Sequence, residues 1–346
     1  MRSMNDRLAG ENGSTIGVEL LDSTKLHDRN DVHCCADCGV AGGVSLKACT
    51  SCKLVKYCNV NCQKNHWEKH KKECKRRAAK LRDEALFKDP PPKEDCPICF
   101  VPMPASLLSC MSLPNATITS VPIYDFTITN VELAKVDLEL YYTCCGKSIC
   151  GGCVYSSTPS PGNPYRCPFC NAETDSNGSD EDDVNRMMKR VEAKDAGAMF
   201  ALGSWYYNGR DGLQQDQAKG MELFTRAAEL GSSKAHTFIG NNYRHGGNMK
   251  KAKFHYEAAA MLGCEAARCN IGSLESVYGN TERALKHLKI AASAGNYLAM
   301  NNLLTFFEQG QFSRAEMDST LTAYNISCAE MRSEARDAFI NVCMLP

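Results

Sequence analysis

The sequence has 346 residues and no run of about 18 apolar residues, the minimum for a membrane-spanning helix. Its first twenty residues, MRSMNDRLAGENGSTIGVEL, lack the apolar core of a secretory signal. It also lacks charge imbalance: 40 Lys+Arg oppose 40 Asp+Glu, so no global field favours nucleic acid, a membrane surface or an acidic substrate. No phosphate-binding loop, Ser/His/Asp arrangement or pair of catalytic carboxylates is found, which removes the common routes to covalent catalysis. These absences predict a cytoplasmic or nuclear protein with no membrane partner.

Cysteine is what the chain has in excess. There are 21, of which seventeen lie between Cys34 and Cys170, most of them in pairs two residues apart. A disulfide framework needs an oxidising compartment, which nothing here suggests. Paired cysteines without one predict zinc. The Asn-x-Ser/Thr matches at Asn115 and Asn177 are then chance, and Cys264, Cys269, Cys328 and Cys343 are expected to be packing residues.

The expected fold is mixed: two small cross-braced zinc-binding α+β modules followed by an all-α helical-repeat solenoid. Residues 1–33, polar and aperiodic, are expected to form a flexible arm. The first cysteine cluster occupies 34–75. A basic segment, 76–92, reads as a helix stopped by Pro90, Pro91 and Pro92. The second cluster occupies 93–173, with β-branched and aromatic stretches at 117–128 and 136–143 that read as strands. Residues 174–188 are acidic and read as a linker, and the repeat array fills 189–346 with a terminal capping helix after Gln311.

In the first cluster the donors fall as Cys35 and Cys38, Cys49 and Cys52, Cys58 and Cys62, His70 and Cys74. Eight donors in four pairs supply two tetrahedral sites. A two-residue gap suits a tight knuckle turn; a three-residue gap places donors on one face of a helical turn. About 40 residues cannot bury enough apolar surface to fold unaided, and metal supplies the missing free energy. Cys34 could replace Cys35, and His66, one turn before His70, reads as solvated. Between Cys35 and Lys80 eleven Lys/Arg face three acids, Asp37, Glu68 and Glu73. A solvated or protein-steering face accounts for that surplus better than nucleic acid, whose binding would show steep salt dependence.

This segment resembles a MYND domain over its full length, in all eight donor positions, in the Tyr57-Cys58 and Cys62-Gln63 steps and in Trp67. The resemblance implies a cross-brace, with Cys35, Cys38, Cys58 and Cys62 on one zinc and Cys49, Cys52, His70 and Cys74 on the other. It also implies that Gln63 and Trp67 contact short, often proline-containing peptides; core packing is the alternative for Trp67.

The second cluster pairs Cys96 with Cys99, Cys144 with Cys145, Cys150 with Cys153, and Cys167 with Cys170. CPICF, CGKSICGGC and RCPFC resemble a RING domain, with Lys147 where the family usually has histidine and a longer loop after Cys99. The resemblance implies one zinc on Cys96, Cys99, Cys150 and Cys153. A second on Cys144, Cys145, Cys167 and Cys170 requires adjacent cysteines to share an ion, so this module holds one or two; Cys110 is an alternative donor. Ile98 and Pro168 fall where the family contacts a ubiquitin-conjugating enzyme. Asn171 stands where active members carry a basic residue, which leaves a zinc-stabilised scaffold and a ubiquitin ligase as competing expectations.

Beyond residue 189 the sequence repeats itself. Ala198, Ala235, Ala267 and Ala299, spaced 37, 32 and 32, each precede an aliphatic residue by four (Leu202, Ile239, Ile271, Leu303). A second register places Gly231, Gly263 and Gly295 after Ala-Ala pairs. Each unit reads as a helix pair with glycine closing the second helix. This part is similar to Sel-like repeats, relatives of tetratricopeptide repeats, over roughly 194–310, and the domain order resembles proteins that join a RING domain to such repeats. The resemblance implies a groove for protein partners. The combined expectation is a zinc-binding protein-interaction adaptor.

Overall fold

The computed structural model describes residues 34–41, 45–103, 139–157, 166–172, 180–210 and 212–343. The arm 1–33, Cys110, the strand expected at 117–128 and the side chain of Cys343 lie outside the described residues. The chain divides into two units, Met1–Arg82 and Asp83–Pro346, taken here in turn.

In the first unit a short antiparallel pair, β1 (Lys47–Ala48) and β2 (Lys56–Tyr57), precedes a 27-residue helix, α1 (Val60–Leu86). Asn59 starts that helix: its Oδ1 accepts the backbone N–H of Cys62 at 2.9 Å, which satisfies one of the orphan donors of a helix start. The core is almost entirely donor residues, with Tyr57 packed among Cys35, Cys49, Cys52, Cys62 and Cys74.

The second unit opens on the last turn of α1 and a proline-rich stretch. It continues with an antiparallel hairpin, β3 (Glu139–Tyr142) and β4 (Lys147–Cys150), and a one-and-a-half-turn helix, α2 (Gly151–Ser156). Part of the strand expected at 136–143 is thus present as β3. Among the described residues helices then follow without interruption by strands: α3 (Asp180–Glu192), α4 (Ala196–Asn208), α5 (Gln217–Glu229), α6 (Ser233–His245), α7 (Met249–Met261), α8 (Glu265–Val277), α9 (Thr281–Ser293), α10 (Tyr297–Glu308), α11 (Arg314–Glu330) and α12 (Glu334–Cys343).

Two expectations change here. The acidic stretch at 174–188 is not linker from residue 180 onward: α3 starts at Asp180, and Glu181, Asp182 and Asp183 lie in its first turn, where negative charge is stabilised by the helix dipole. Met187 and Val191 of α3 are buried against Met199, Leu202 and Leu223. The segment after Gln311 is not one capping helix. It breaks after Glu330, and α12 turns back to pack against α2.

The repeat units share one closing device. The N–H groups of Gly231 and Ser232 return to the carbonyls of Ala228 and Ala227, and the same pair of bonds recurs at Gly263 and Cys264 and at Gly295 and Asn296. These glycines sit at φ 88, 92 and 85°, left-handed backbone that only glycine adopts without strain. The next residue caps the following helix: Ser232, Cys264 and Asn296 each accept the N–H three residues on. Cys264 is therefore a cap as well as a packing residue. Within each pair a glycine of the first helix admits a large side chain of the second: Gly203 meets Phe224, Gly240 meets Tyr256 and Gly272 meets Leu288. A Cβ on Gly240 would lie 2.6 Å from the Tyr256 ring, which is fully buried and tied through its hydroxyl to Asn241 Oδ1. Gly240→Ala should therefore lower stability by about 1–3 kcal/mol in thermal denaturation.

Candidate metal centres and their supports

Four knuckles with the same backbone carry the donors. In four of the five Cys-x2-Cys pairs, all but Cys150 and Cys153, the residue after the second cysteine donates its N–H to the carbonyl of the first: Gly39 to Cys35, Lys53 to Cys49, Phe100 to Cys96 and Asn171 to Cys167, at 2.8–3.0 Å. All four following residues are left-handed, with φ of 72, 57, 54 and 55°. Asn171 thus has a backbone reason for its identity, since asparagine tolerates that region best after glycine. Phe100 does not; it is a bulky residue in a costly conformation, 77% exposed.

The structure brings sixteen donors into four groups whose ligand atoms lie within 4.8 Å of one another: Cys35, Cys38, Cys58, Cys62; Cys49, Cys52, His70, Cys74; Cys96, Cys99, Cys150, Cys153; and Cys144, Cys145, Cys167, Cys170. Cys34 is in none of them; it bridges Ala41 instead. Sulfur separations are 3.6 Å for Cys38 and Cys58, 3.7 Å for Cys49 and Cys74, 3.8 Å for Cys96 and Cys153, and 3.5 Å for Cys145 and Cys167. Disulfides would bring sulfur atoms to about 2.05 Å. A tetrahedron with Zn–S near 2.3 Å has edges of about 3.8 Å. His70 Nε2 lies 3.2 Å from Cys52 Sγ. The donor chemistry and spacing fit zinc.

Charge tells the same story. The Cys35 thiol is lowered to about 6, chiefly by the backbone N–H of Cys38. At Cys49, Cys96 and Cys167 burial opposes ionisation, yet backbone N–H groups carry the thiols down to about 6, 6 and 7. Their neighbours move the other way. Burial, then the sulfurs of Cys49 and Cys52, pushes Cys74 to about 12, and Cys62 rises through Cys58 and burial. In each group one thiol ionises readily while at least one neighbouring thiol is pushed up. A divalent cation lets the thiols of a group ionise together, with His70 ligating as a neutral imidazole.

Around the first unit's sites, His66 is not the solvated residue expected. Its Nδ1 lies 3.0 Å from the Tyr57 hydroxyl and its ring stacks on His70 at 5.8 Å. It orients a ligand-type imidazole and the buried tyrosine together. Gln63 is half-buried and Trp67 is 41% exposed, one turn apart on α1.

In the second unit the donor loops are held by the helices. Arg190 of α3 donates from Nε to the Thr143 carbonyl (2.6 Å) and from Nη2 to the Cys144 carbonyl (2.7 Å). Tyr141 donates to Asp195 Oδ2 at 2.7 Å and Thr143 to Asp183 at 2.9 Å. These bonds fasten the turn that carries the adjacent cysteines. At the other end of the array, Arg336 of α12, 5% exposed, donates to the carbonyls of Pro102 (2.7 Å), Val101 (3.1 Å) and Met331 (2.6 Å), with Nη2 3.7 Å from Cys99 Sγ. Neither arginine was singled out by its sequence context, because an arginine on a repeat helix carries no local mark of its distant partner. Lys147 lies over the Phe169 ring at 4.7 Å. Ile98 packs against the module's core and Pro168 is exposed. Among the described residues no helix is long and apolar enough to cross a membrane.

Comparison with known proteins follows the same division. Over 33 residues the chain is 54% identical to a SET and MYND domain-containing protein of Dictyostelium discoideum, a stretch that is 10% of this chain and only 6% of that protein. A Sel1 repeat protein from Oxalobacter formigenes is similar in structure, with 24% identity and a TM-score of 0.37, covering 42% of this chain and 64% of that one. The protective antigen c5321 of uropathogenic Escherichia coli, described as having an SLR fold, is similar at 19% identity and a TM-score of 0.35, covering 46% and 39%. Residues 35–74 match the family model of the MYND finger, and residues 196–232, 233–264 and 267–296 match that of the Sel1 repeat. The chain carries a MYND-type zinc finger followed by Sel1 repeats.

Proposed function

We propose that this chain is a cytoplasmic or nuclear zinc-dependent adaptor that joins protein partners through its MYND finger and its repeats. Four zinc ions are assigned to the four donor groups named above, with Gln63 and Trp67 offered to a peptide. The observation that carries the reading is the fastening of the second cysteine module to both ends of the array, through Arg190 and through Arg336. Metal in that module then holds the helices that display the binding surface. A stable display platform is what an adaptor needs.

The ligase reading stands second. The exposed Pro168 and Phe100 beside the module favour it, and a RING works by positioning a conjugating enzyme rather than by its own chemistry. Asn171, in place of a basic residue, weighs against it. Autoubiquitination with a panel of conjugating enzymes separates the two. The adaptor reading expects no chains from the full-length protein with any enzyme. Chains that form with the wild type and vanish in Ile98→Ala would replace it with the ligase.

A further inference from the structure

Residues 83–93, which take in the end of the segment expected as a basic helix stopped by prolines, are seated on the repeats. The last turn of α1 lies against α7, α8 and α9. Leu86 is fully buried among Ala252, Tyr256, Ala259, Ala260, Ile271 and Leu274. Its carbonyl, one of the unpaired acceptors at a helix C-terminus, receives Nη1 of the buried Arg268 at 2.8 Å. Asp83 pairs with Arg283 at 2.9 Å. Phe87 packs on the His287 ring at 4.7 Å and under the Arg283 guanidinium at 5.3 Å. Beyond the prolines, Pro91 touches Gly263 and Lys93 donates to the Ala294 carbonyl at 2.7 Å. The segment binds as a ligand would: an anchor pair in an apolar seat, a capped helix end, one ion pair and an extended exit.

The seat is not fully used. Among the described residues, both ring nitrogens of His287 and Nε of Arg268 are buried without a hydrogen-bond partner; the two residues are 0% and 1% exposed. Most buried polar groups are paired, so unpaired ones facing a docked segment mark a site that this occupant satisfies incompletely. Beside them, Glu275, 1% exposed on its side chain, holds Lys253 and Arg283.

We propose that the face formed by α7, α8 and α9 is a peptide-binding site whose resident is the chain's own segment 83–93, and that a partner peptide of the same chemistry takes the site by displacing it. That chemistry is a helix C-terminus with an acidic residue three positions ahead of a Leu-Phe pair, followed by an extended proline stretch. The proposal deepens the adaptor reading and rests on it, because it names what the repeats read. A tethered resident competes at an effective concentration on the order of millimolar, so the free site shows itself only when the resident is weakened.

The probe is a fluorescently labelled peptide with the sequence of residues 80–94, titrated into the full-length, zinc-loaded chain and followed by anisotropy. The double variant L86S/F87S is expected to bind it about tenfold or more tightly than the wild-type chain does. The same peptide carrying both serines is expected to bind neither chain. Equal binding to the two chains overturns the proposal. So does absence of binding to a variant whose helicity and zinc content match the wild type. Should the variant not fold, hydrogen exchange of the wild type decides. A displaceable resident opens locally, so amides at 83–87 exchange about tenfold or more faster than those of α8; equal protection would make the segment a permanent staple and end the proposal. Failure here leaves the adaptor reading standing, since that reading is tested by ubiquitin transfer.

Discussion

Cys150→Ser will lower the melting temperature of the helical array by about 10 °C or more, whereas Cys38→Ser will leave it within about 2 °C. Cys150 is fully buried and belongs to the donor group with Cys96, Cys99 and Cys153 in the second unit; Cys38 belongs to the finger of the first. A structural zinc contributes roughly 10–16 kcal/mol to folding in small peptides, far more than a module this small obtains from its own core. Without its metal the module loses order, and with it go the bonds of Tyr141, Thr143 and Arg190 at one end of the array and of Arg336 at the other. Hydrogen bonds to charged groups contribute about 1.5–3 kcal/mol each, so losing this set reaches the stated shift. Circular dichroism of the full chain reads the melting, and elemental analysis reads the metal. The wild type should hold four zinc ions, or three if the adjacent Cys144 and Cys145 do not share one. A C150S chain that loses one ion yet melts like the wild type would show that the repeats stand without the module.

Arg336→Ala should destabilise the second unit by about 3 kcal/mol or more. The guanidinium is the partner of three backbone carbonyls at once, and its removal takes the side-chain donor from those of Pro102 and Met331 in a partly buried place, while the Val101 carbonyl keeps the N–H of Cys96. Arg336→Lys should recover little, because an ammonium on a flexible stem cannot reproduce a planar fork of donors. The same interface can be opened from the opposite side. A Cβ on Gly152 would lie 2.5 Å from the backbone N of Arg336 and 2.6 Å from its Cα, and backbone cannot step aside as a side-chain tip can. Gly152→Ala is therefore expected to shift stability in the same direction. Denaturant unfolding of the three variants checks this; if Arg336→Ala stays within about 0.5 kcal/mol of the wild type, as ordinary surface substitutions do, the clamp is not holding the module.

The donors were legible because zinc chemistry is local. A Cys-x2-Cys turn is decided by four residues, and the spacing of His70 and Cys74 by one helical turn, so composition and order display them. The repeats were legible for a related reason: the Ala-Ala-x2-Gly signature is the closing turn of a helix, and its three copies give identical bonds at Gly231, Gly263 and Gly295. The helix at 180 was missed because four acids read as solvated linker unless one knows that Met187 and Val191 behind them find a core. His66 was missed because its value lies in stacking on His70 and reaching Tyr57 from a neighbouring element.

By itself, then, the sequence determined which donors pair along the chain and how often the helix pair recurs, since both are set within a few residues of each other. The tertiary structure alone decided what those parts do to one another. The bond from Arg268 to the Leu86 carbonyl spans 182 residues and that from Arg336 to Pro102 spans 234. Nothing local distinguishes those arginines or that leucine from their neighbours on a helix surface. Their partners are selected only when the stacked repeats bring distant backbone within hydrogen-bond reach and exclude water from it.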